Sequence, residues 1–458
     1  MKHYNVLSKT VLFAVLTGLV FLGPLHSAAV EKEVTVAAVG DCIISHKVSN
    51  LKTPAFLKLA AILRGADVTY ANCETTFCDA TENFPSYKTT DPNLFCDPWG
   101  ADELKWLGID IVSLANNHTM DFSFAGLTET IENLKRVGIG YAGAGKNLDM
   151  ASRPGYIDTA VGTVSLISCS SWIPEKEFQA SQVHPHMKGR PGLNPLNTQM
   201  LVQVTAENHT KLKEAMNNTL KDLGIPVEEP KEGEKEKPLD FGGPYKFMKG
   251  DKTVIVVKPN EKDLERILEE IKIARRSSHI VMVSLHEHNA DYKEKAPTKF
   301  WKDFARQCVD AGADMFFGTG PHQLFGIEIY KGKPIFYSLG NFFFQETRLI
   351  SPEAYVRWDL PAYSKDPLLL AEKMNAYFKD KVFWQSFVPL VSFDKKNKLT
   401  GIKLYPIVLG QNEPVFWRGI PRLAGKEQGK EILQRLQKLS AIFKTKVVIE
   451  KGVGKVVL

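Results

Sequence analysis

Short apolar runs rich in β-branched residues alternate with amphipathic segments along most of the chain from residue 33 onward. The apolar runs predict strands at 34–40, 67–72, 109–115, 139–144, 163–169, 280–285, 314–318, 325–330 and 334–340. Between several of them, apolar side chains recur with the 3.6-residue period of a helix, as in 125–137 and 263–274. Strands that alternate with helices are typical of an α/β sheet protein, so we predict this fold class.

Two regions depart from this alternation. Residues from about 198 to 258 hold one helical segment, 207–223, followed by a charged stretch rich in Pro and Gly, which predicts an insertion or flap. After residue 349 the pattern predicts a helix at 367–381, strands near 387–394 and 400–409, a helix at 426–443 and a hairpin near 446–457. We therefore expect a main domain over 33–349 and a C-terminal α+β extension over 350–458, packed on the main domain or forming a small second one.

The N-terminus has the pattern of a secretory signal peptide. An apolar stretch, Val11–Leu25, follows two lysines and precedes the small residues Ser27 and Ala29. We predict a signal peptide over 1–29 and an exported protein, periplasmic or extracellular. An uncleaved membrane anchor is the alternative, although about 15 apolar residues are few for a membrane-spanning helix.

The composition is that of an ordinary globular chain, with 44% hydrophobic and 24% charged residues among 458. The formal net charge of +6 is not concentrated in a basic stripe, so nucleic-acid binding is not expected. Six cysteines are too few for a disulfide scaffold in a chain of this length. We expect the bridges Cys78–Cys96 and Cys42–Cys73, and a buried free thiol at Cys308.

Side chains that commonly bind metals follow the predicted strands at their carboxyl ends. They are Asp41, Glu74, Asn117 with His118 and Asp121, His286 with His288, and His322. In open α/β sheets the ligand crevice lies at the carboxyl ends of the strands, so these side chains should converge. Carboxylate, imidazole and amide oxygen suit one or two divalent Mn, Fe, Zn or Mg ions. An alternative for Asn116, Asn117 and Asp121 is capping of a helix that begins near residue 123.

Five short motifs carry a resemblance to a known family. They are GD (40–41), NCE (72–74), ANNHTMDFSFAGL (115–127), SLHEH (284–288), and GTGPH (318–322) followed by GIEIYKGKPIFYSLGNFFF (326–344). Over 34–345, with RPGLNPL at 190–196, their order resembles the CapA family of poly-gamma-glutamate (capsule) biosynthesis proteins. That family is similar in fold to the calcineurin-like metallophosphoesterases. The resemblance implies a metallophosphoesterase-like α/β/β/α sandwich with a metal-binding pocket at its strand ends.

The metallophosphoesterase pattern also implies roles for the candidate residues. The implied metal ligands are Asp41, Glu74, Asn117, His286 and His322. His118 would act as general acid or phosphate contact, oriented by Asp121. Substrate contacts are expected from Arg190, His288 and Asn341, and a structural turn is the alternative for Arg190.

Two departures from the pattern bear on the metals. Thr319 stands where many relatives have a histidine, and the first motif lacks the close histidine of a D-x-H pair, with His46 as an uncertain substitute. The second metal ion is therefore expected to bind weakly or to be absent.

The resemblance implies an exported metal-binding protein of capsule poly-gamma-glutamate synthesis or export with a phosphoesterase-like hydrolase site. The alternatives are a non-catalytic polymer-binding component, or a gamma-glutamyl amide hydrolase that uses the same metals. The expected partners are an anionic polymer or phosphoester substrate and membrane-bound polyglutamate synthase components.

Overall fold

A computed structural model describes residues 33–458 except 87, 89–92, 228–236, 244, 292–293, 346–355, 357–358, 360 and 362–366. The signal peptide predicted over 1–29 lies outside the described residues, as does much of the charged stretch of the insertion. Among the residues that are described, no helix combines the length and the apolar character needed to cross a membrane.

The structure contains the predicted helices close to their expected positions, together with helices that the sequence did not single out. Their bounds are α1 (Pro54–Arg64), α2 (Gly100–Leu107), α3 (Ser123–Arg136), α4 (Leu148–Ser152), α5 (Ala206–Asp222), α6 (Glu261–Ser277), α7 (Lys299–Ala311), α8 (Pro367–Tyr377) and α9 (Lys426–Ala441), with 3-10 turns at Lys176–Phe178 and Lys381–Trp384. The segments predicted at 125–137 and 263–274 are confirmed as α3 and α6. In α7, Thr298 caps the N-terminus by accepting from the N–H of Trp301, and Cys308 lies on the buried face, as expected.

The first sheet contains strands from both ends of the described chain. Its members are β1 (Val34–Ile43), β2 (Val68–Asn72), β5 (Ile111–Ser113), β6 (Gly140–Ala142), β21 (Asn341–Phe344), β22 (Gln385–Phe393), β23 (Leu399–Val408), β24 (Arg422–Leu423), β25 (Val447–Glu450) and β26 (Val453–Val456). Strands β2 and β21 are parallel to β1, whereas β22 is antiparallel to it. The predicted extension after residue 349 therefore completes the first sheet and is not an independent layer.

The second sheet has the order β19-β20-β18-β15-β9-β8. Its members are β8 (Gly155–Thr159), β9 (Gly162–Ser170), β15 (Ile280–His286), β18 (Met315–Thr319), β19 (Ile327–Tyr330) and β20 (Lys333–Phe336). The hairpin predicted at 325–340 is confirmed, because β19 and β20 pair antiparallel. The smaller pairs are β3 (Thr76–Phe77) with β4 (Phe95–Cys96), β7 (Ala144–Gly145) with β10 (Gly192–Leu193), and β16 (Ala290–Asp291) with β17 (Ala296–Pro297).

The two sheets pack face to face and helices cover their outer faces. Between the sheets, the rings of Tyr70 and Phe317 stack with centroids 4.6 Å apart, and the hydroxyl of Tyr70 lies 2.6 Å from that of Ser284. Helices α1, α2 and α3 bury their apolar faces on the first sheet, and α6 and α7 bury theirs on the second. This is the α/β/β/α sandwich that the resemblance implies.

The insertion is a folded unit around its predicted helix, α5. Strands β11 (Thr198–Val204), β12 (Leu239–Asp240), β13 (Tyr245–Lys249) and β14 (Val254–Pro259) form a separate sheet in the order β12-β13-β11-β14. The high charge of residues 224–245 had led to the prediction of a flap. The β-branched runs on either side of that stretch pair with each other instead, because strand pairing satisfies their backbone groups.

The expected disulfides are absent among the described cysteines Cys42, Cys73 and Cys78, which are buried free thiols. The thiol of Cys42 contacts the carbonyl of Gly40 at 3.7 Å, and that of Cys73 contacts the carbonyl of Thr75 at 3.5 Å. Each thiol is thus turned toward its own segment, and the prediction of a Cys42–Cys73 or Cys78–Cys96 bridge is wrong for this structure.

Candidate metal centre

The carboxyl ends of the strands meet where metal-binding side chains were predicted. In the first sheet, Asp41 at the end of β1 lies opposite Asn72 on β2 and Asn341 on β21. In the second sheet, His286 at the end of β15 lies opposite Thr319 on β18. Asn72 and His286 touch across the sheets, with the amide nitrogen 3.3 Å from Nδ1. Strand register therefore places a carboxylate, two amides, an imidazole and a hydroxyl at one end of the sandwich.

A close approach of two backbones sets the position of Asp41. Its N–H donates to the carbonyl of Gly340 at 3.0 Å. A Cβ on Gly40 would lie 1.8 Å from that same carbonyl oxygen, so no other residue fits there without moving a strand. Gly340 has φ 66°, in the left-handed region that glycine adopts without steric cost.

Five side chains form what we call the ligand cluster: Asp41, Glu74, His286, His288 and His322. They fall into two groups of three, Asp41 with Glu74 and His286, and Glu74 with His288 and His322. Within each group the donor atoms all lie within 4.8 Å of one another. The first group is fully buried, and the two histidines of the second are partly exposed. We call the buried group the inner group and the group with His288 and His322 the outer group. Glu74 belongs to both, so its carboxylate lies between them.

His286 is the most crowded member of the ligand cluster. Its Nε2 lies 2.9 Å from Oδ1 of Asn117, 3.0 Å from Nε2 of His288 and 3.5 Å from Oε1 of Glu74. Burial holds the pKa of His286 well below its ordinary value, and the charges of the neighbouring histidines lower it further. The ring is therefore neutral, which is the form that binds a metal.

Asn72 links the two sheets beneath the ligand cluster. Its amide nitrogen donates to Oδ1 of Asp41 at 2.8 Å and lies 3.3 Å from Nδ1 of His286. Its oxygen accepts from the amide of Asn116 at 3.2 Å. On the other side, the hydroxyl of Thr319 lies 3.0 Å from Nδ1 of His286. Thr319 thus contacts the imidazole of His286 through a hydrogen bond.

The backbone at His322 is bent to present its ring. His322 has φ 56°, a left-handed conformation that is rare outside glycine, and its Nδ1 lies 2.9 Å from Oδ1 of Asn341. The preceding Gly320 has φ 107° and donates its N–H to Oδ2 of Asp41 at 3.3 Å. Asn341 was predicted to contact substrate. Its amide group contacts His322 and the carbonyl of Phe383, and its role as a substrate contact stays a prediction.

His118 lies beside the ligand cluster and is held at its backbone and its ring. The hydroxyl of Thr76 donates to the carbonyl of His118, and the N–H of His118 donates to Oδ1 of Asn116, both at 3.0 Å. Nδ1 lies 2.7 Å from Oδ2 of Asp121, as the predicted orientation by Asp121 requires. The buried Lys88 forms an ion pair with the other oxygen of Asp121.

Glu287 adds a buried carboxyl group next to two ligands. It accepts from the hydroxyl of Ser171 and from the N–H of Asn289, both at 2.6 Å. Burial raises its pKa to about 7, which these hydrogen bonds counteract in part.

Two candidates lie in other surroundings. The guanidinium of Arg190 donates to the carbonyls of Gln179 and Lys176, at 3.1 and 3.3 Å, within its own loop. Its role as substrate contact stays a prediction, and these bonds match the structural-turn alternative. His46 places its ring 5.6 Å from that of Phe416, and its role as a substitute ligand stays a prediction.

Sequence reasoning did not single out Asn72, Lys88 or Glu287 as site residues. Asn72 and Glu287 lie inside the NCE and SLHEH motifs, so their position at a strand end was a usable signal. Lys88 lies in a loop 30 residues before His118, where no periodic pattern marks it. His288, predicted to contact substrate, belongs by position to the ligand cluster.

The donor set fits a divalent cation. Two carboxylates and three imidazoles are the ligand types of Zn, Mn and Fe, which bind such atoms at about 2.0–2.2 Å. Most of these side chains also contact a polar side chain that can orient them. Asn72 holds Asp41, Thr319 contacts His286, and Asn341 contacts His322. Hydrogen bonds of this kind fix the tautomer and direction of metal-binding side chains.

Comparison with known proteins agrees with this architecture. A family model described as "Bacterial capsule synthesis protein PGA_cap" matches residues 35–346, which contain the whole ligand cluster. The chain is 33% identical over 445 residues to the uncharacterized protein y4sH of Sinorhizobium fredii, with 92% of each chain covered.

Named relatives are more distant. Identity is 22% over 323 residues to the capsule biosynthesis protein CapA of Bacillus anthracis, covering 69% of this chain and 61% of that one. Identity is 23% over 247 residues to the PGA biosynthesis protein CapA of Bacillus subtilis, covering 53% and 44%. Because the family model spans about two thirds of the sequence, the chain belongs to the bacterial capsule synthesis family PGA_cap, whose fold is metallophosphoesterase-like.

Proposed function

We propose that this protein is an exported component of capsule poly-gamma-glutamate synthesis or export that works beside membrane-bound synthase components. In this proposal the ligand cluster binds one or two divalent cations and hydrolyses a phosphoester. The observation that carries it is the convergence of five ligand-type side chains from four strand ends, with Glu74 common to both groups. The family membership supports the capsule process, and the donor set supports the chemistry.

The two groups of the ligand cluster differ in access. The inner group is fully buried, so its position suits a cation that stays bound. The outer group includes the partly exposed His288 and His322, so substrate would approach from that side. A bound divalent cation would supply Lewis acidity and lower the pKa of a bound water.

The chain's own residues have distinct tasks in this proposal. Asn72, Thr319 and Asn341 orient ligands, as their hydrogen bonds indicate. His118, whose ring is fixed through Nδ1 by Asp121, is placed to accept or return a proton through Nε2. Glu287 lies between His286 and His288 in the sequence and is not one of the proposed ligands.

A second candidate is a non-catalytic, polymer-binding role. It is favoured by Thr319, which supplies a hydroxyl to His286 where many relatives have a further imidazole. Without that imidazole one of two cations would bind more weakly, and polymer binding through a single cation would remain. A gamma-glutamyl amide hydrolase would use the same ligands and differ only in its substrate.

The test is metal content followed by substrate assay. Purified protein loaded with Mn, Fe or Zn should retain metal through gel filtration, and Asp41→Ala should lose most of it. Turnover of p-nitrophenyl phosphate or its bis ester that disappears in Asp41→Ala supports the phosphoesterase. Cleavage of poly-gamma-glutamate alone indicates the amide hydrolase, and metal-dependent binding without cleavage indicates the polymer-binding role. Protein that retains no metal would refute all three.

A matched control is Asp67→Ala. Asp67 precedes β2 and accepts from the N–H and hydroxyl of Thr35, at 2.9 and 2.7 Å, at the opposite end of the same strands. Its replacement removes a carboxylate from the first sheet but leaves the ligand cluster unchanged, so metal content should stay at the wild-type level. Export is tested separately, by locating the protein in cell fractions and determining its mature N-terminus.

A further inference from the structure

Lys88 is a fully buried lysine that contacts the pair formed by His118 and Asp121. The side chains of Lys88 and Asp121 are both inaccessible to solvent, and they form an ion pair through Oδ1 of the carboxylate. The ammonium nitrogen also lies 3.3 Å from Nδ1 of His118. A buried charge is strongly unfavourable unless an opposite charge and hydrogen bonds compensate it, so Lys88 and Asp121 depend on each other.

The chain on both sides of Lys88 is attached to Asp121. The N–H of Ser86 donates to the backbone carbonyl of Asp121 at 2.8 Å. The N–H of Leu94 donates to Oδ2 of the Asp121 side chain. Asn93, next to Leu94, donates its amide to the carbonyl of Ser86 at 2.8 Å. Ser86, Lys88 and Leu94 therefore all contact Asp121.

The two oxygens of Asp121 are divided between two partners. Lys88 binds Oδ1, whereas Oδ2 lies 2.7 Å from Nδ1 of His118. A carboxylate only accepts hydrogen bonds, and an ammonium only donates them. The carboxylate oxygen, at 2.7 Å, is closer to Nδ1 of His118 than the ammonium nitrogen, at 3.3 Å, so Nδ1 carries a proton toward Asp121. In the neutral ring, Nε2 of His118 is then left without a proton.

We propose that Lys88 is a positioning residue of the candidate site. By occupying Oδ1 of Asp121 it leaves Oδ2 for His118 and so fixes the ring proton of His118 on Nδ1. That Nε2 of His118 then accepts a proton during the reaction rests on the proposed function. The assignment of Lys88 itself rests only on the contacts of the buried trio.

The experiment reads the histidine tautomer directly. In the full-length mature protein labelled with nitrogen-15 histidine, long-range proton–nitrogen spectra distinguish a ring protonated on Nδ1 from one protonated on Nε2. The His118 signals are assigned by their loss in His118→Gln. We expect the Nδ1–H tautomer in the wild type and a shift of both His118 nitrogen signals in Lys88→Met. An Nε2–H tautomer in the wild type, or unchanged signals in Lys88→Met, would overturn the proposal.

A double variant covers the case in which Lys88→Met does not fold. Lys88→Met with Asp121→Asn buries no lone charge, and the new amide can either donate to or accept from Nδ1. We expect the single tautomer to give way to a mixture, and a His118 that keeps its wild-type signals there would overturn the assignment. The control is Lys333→Met, which removes a lysine paired with Asp314 at 2.7 Å and should leave His118 unchanged.

These spectra need neither metal nor turnover. Failure of the metal and substrate tests with the expected tautomer would refute the hydrolase and leave the role of Lys88 standing. Successful metal and substrate tests with the wrong tautomer would refute the role of Lys88 and leave the hydrolase standing.

Discussion

Asp41 and Asn341 contact the same atom, Nδ1 of His322, from opposed positions on the parallel strands β1 and β21. Oδ2 of Asp41 lies 3.2 Å from that nitrogen, and Oδ1 of Asn341 lies 2.9 Å from it. Because both oxygens accept hydrogen bonds, they favour a ring protonated on Nδ1, which leaves Nε2 to bind a cation. Strand pairing thus fixes the orientation of a histidine that comes from a different sheet.

Asn341→Ala should weaken metal binding with little change in the ligands themselves. Loss of the amide removes the closer of the two acceptors at His322, and removal of such an orienting partner costs about 10–100-fold in metal affinity. The dissociation constant can be measured by competition with a chromophoric chelator. An affinity within twofold of the wild type would contradict the orienting role.

The control for Asn341→Ala is Asn133→Ala. Asn133 is a buried asparagine on α3 whose amide donates to the carbonyl of Phe77 at 3.2 Å, away from the ligand cluster. Its replacement removes the same functional group from the core. It should lower the unfolding free energy and leave the metal dissociation constant unchanged.

Asn72→Leu tests the link between the sheets. Leucine has nearly the same size but cannot donate to Asp41 or accept from Asn116, so buried polar groups on both sides lose a partner. We expect the metal-free protein to lose about 1–3 kcal/mol of unfolding free energy for the unsatisfied groups. Urea unfolding in the presence of a chelator measures this loss. Wild-type stability would show that Asp41 and Asn116 find other partners.

Much of the fold and of the ligand cluster could be predicted from the sequence because both follow from local patterns. Alternating apolar runs and helical periods identify the strands and helices. The carboxyl ends of neighbouring parallel strands must lie side by side, so Asp41 could be placed near the end of β2, and His286 near the end of β18, without coordinates. The motif order then added the sandwich arrangement, which periodicity alone does not specify.

The features that were missed depend on long-range contacts. Lys88 acquires its role only through its ion pair with Asp121, a residue distant from it in the sequence. Strand β22 pairs with β1 although about 350 residues separate them, so no local signal announces that the C-terminal region enlarges the first sheet. The insertion sheet was missed because its strands flank a charged segment that dominates the local composition.

The buried thiols should be unreactive in the native protein across a wide pH range. Burial raises the pKa of Cys73 and of Cys78 to about 12, and the pKa of Cys42 rises well above its ordinary value. Because the thiolate is the reactive form, these cysteines should stay unmodified by a thiol reagent such as DTNB between pH 7 and 9. Unfolding in guanidinium without reductant should release them as titratable thiols. A disulfide that survives unfolding would contradict the thiols found here.

Gly40→Ala should be one of the most damaging single substitutions in the first sheet. The added methyl would lie 1.8 Å from the carbonyl oxygen of Gly340, which already accepts from the N–H of Asp41. The strands must separate to admit it, and we expect a loss of about 3 kcal/mol or more in unfolding free energy. Because Asp41 moves with the strand, metal affinity should fall as well. Urea unfolding and the chelator competition measure the two effects.

The matched control is Gly401→Ala, in β23 of the same sheet. A Cβ at Gly401 would meet no atom within 4 Å, and its backbone is not in the left-handed region. Alanine there reduces the freedom of the unfolded chain, so stability should rise by about 0.5–1 kcal/mol. If both variants lost stability equally, a general intolerance of strand glycines would explain the result, and the close approach of Gly40 to Gly340 would not.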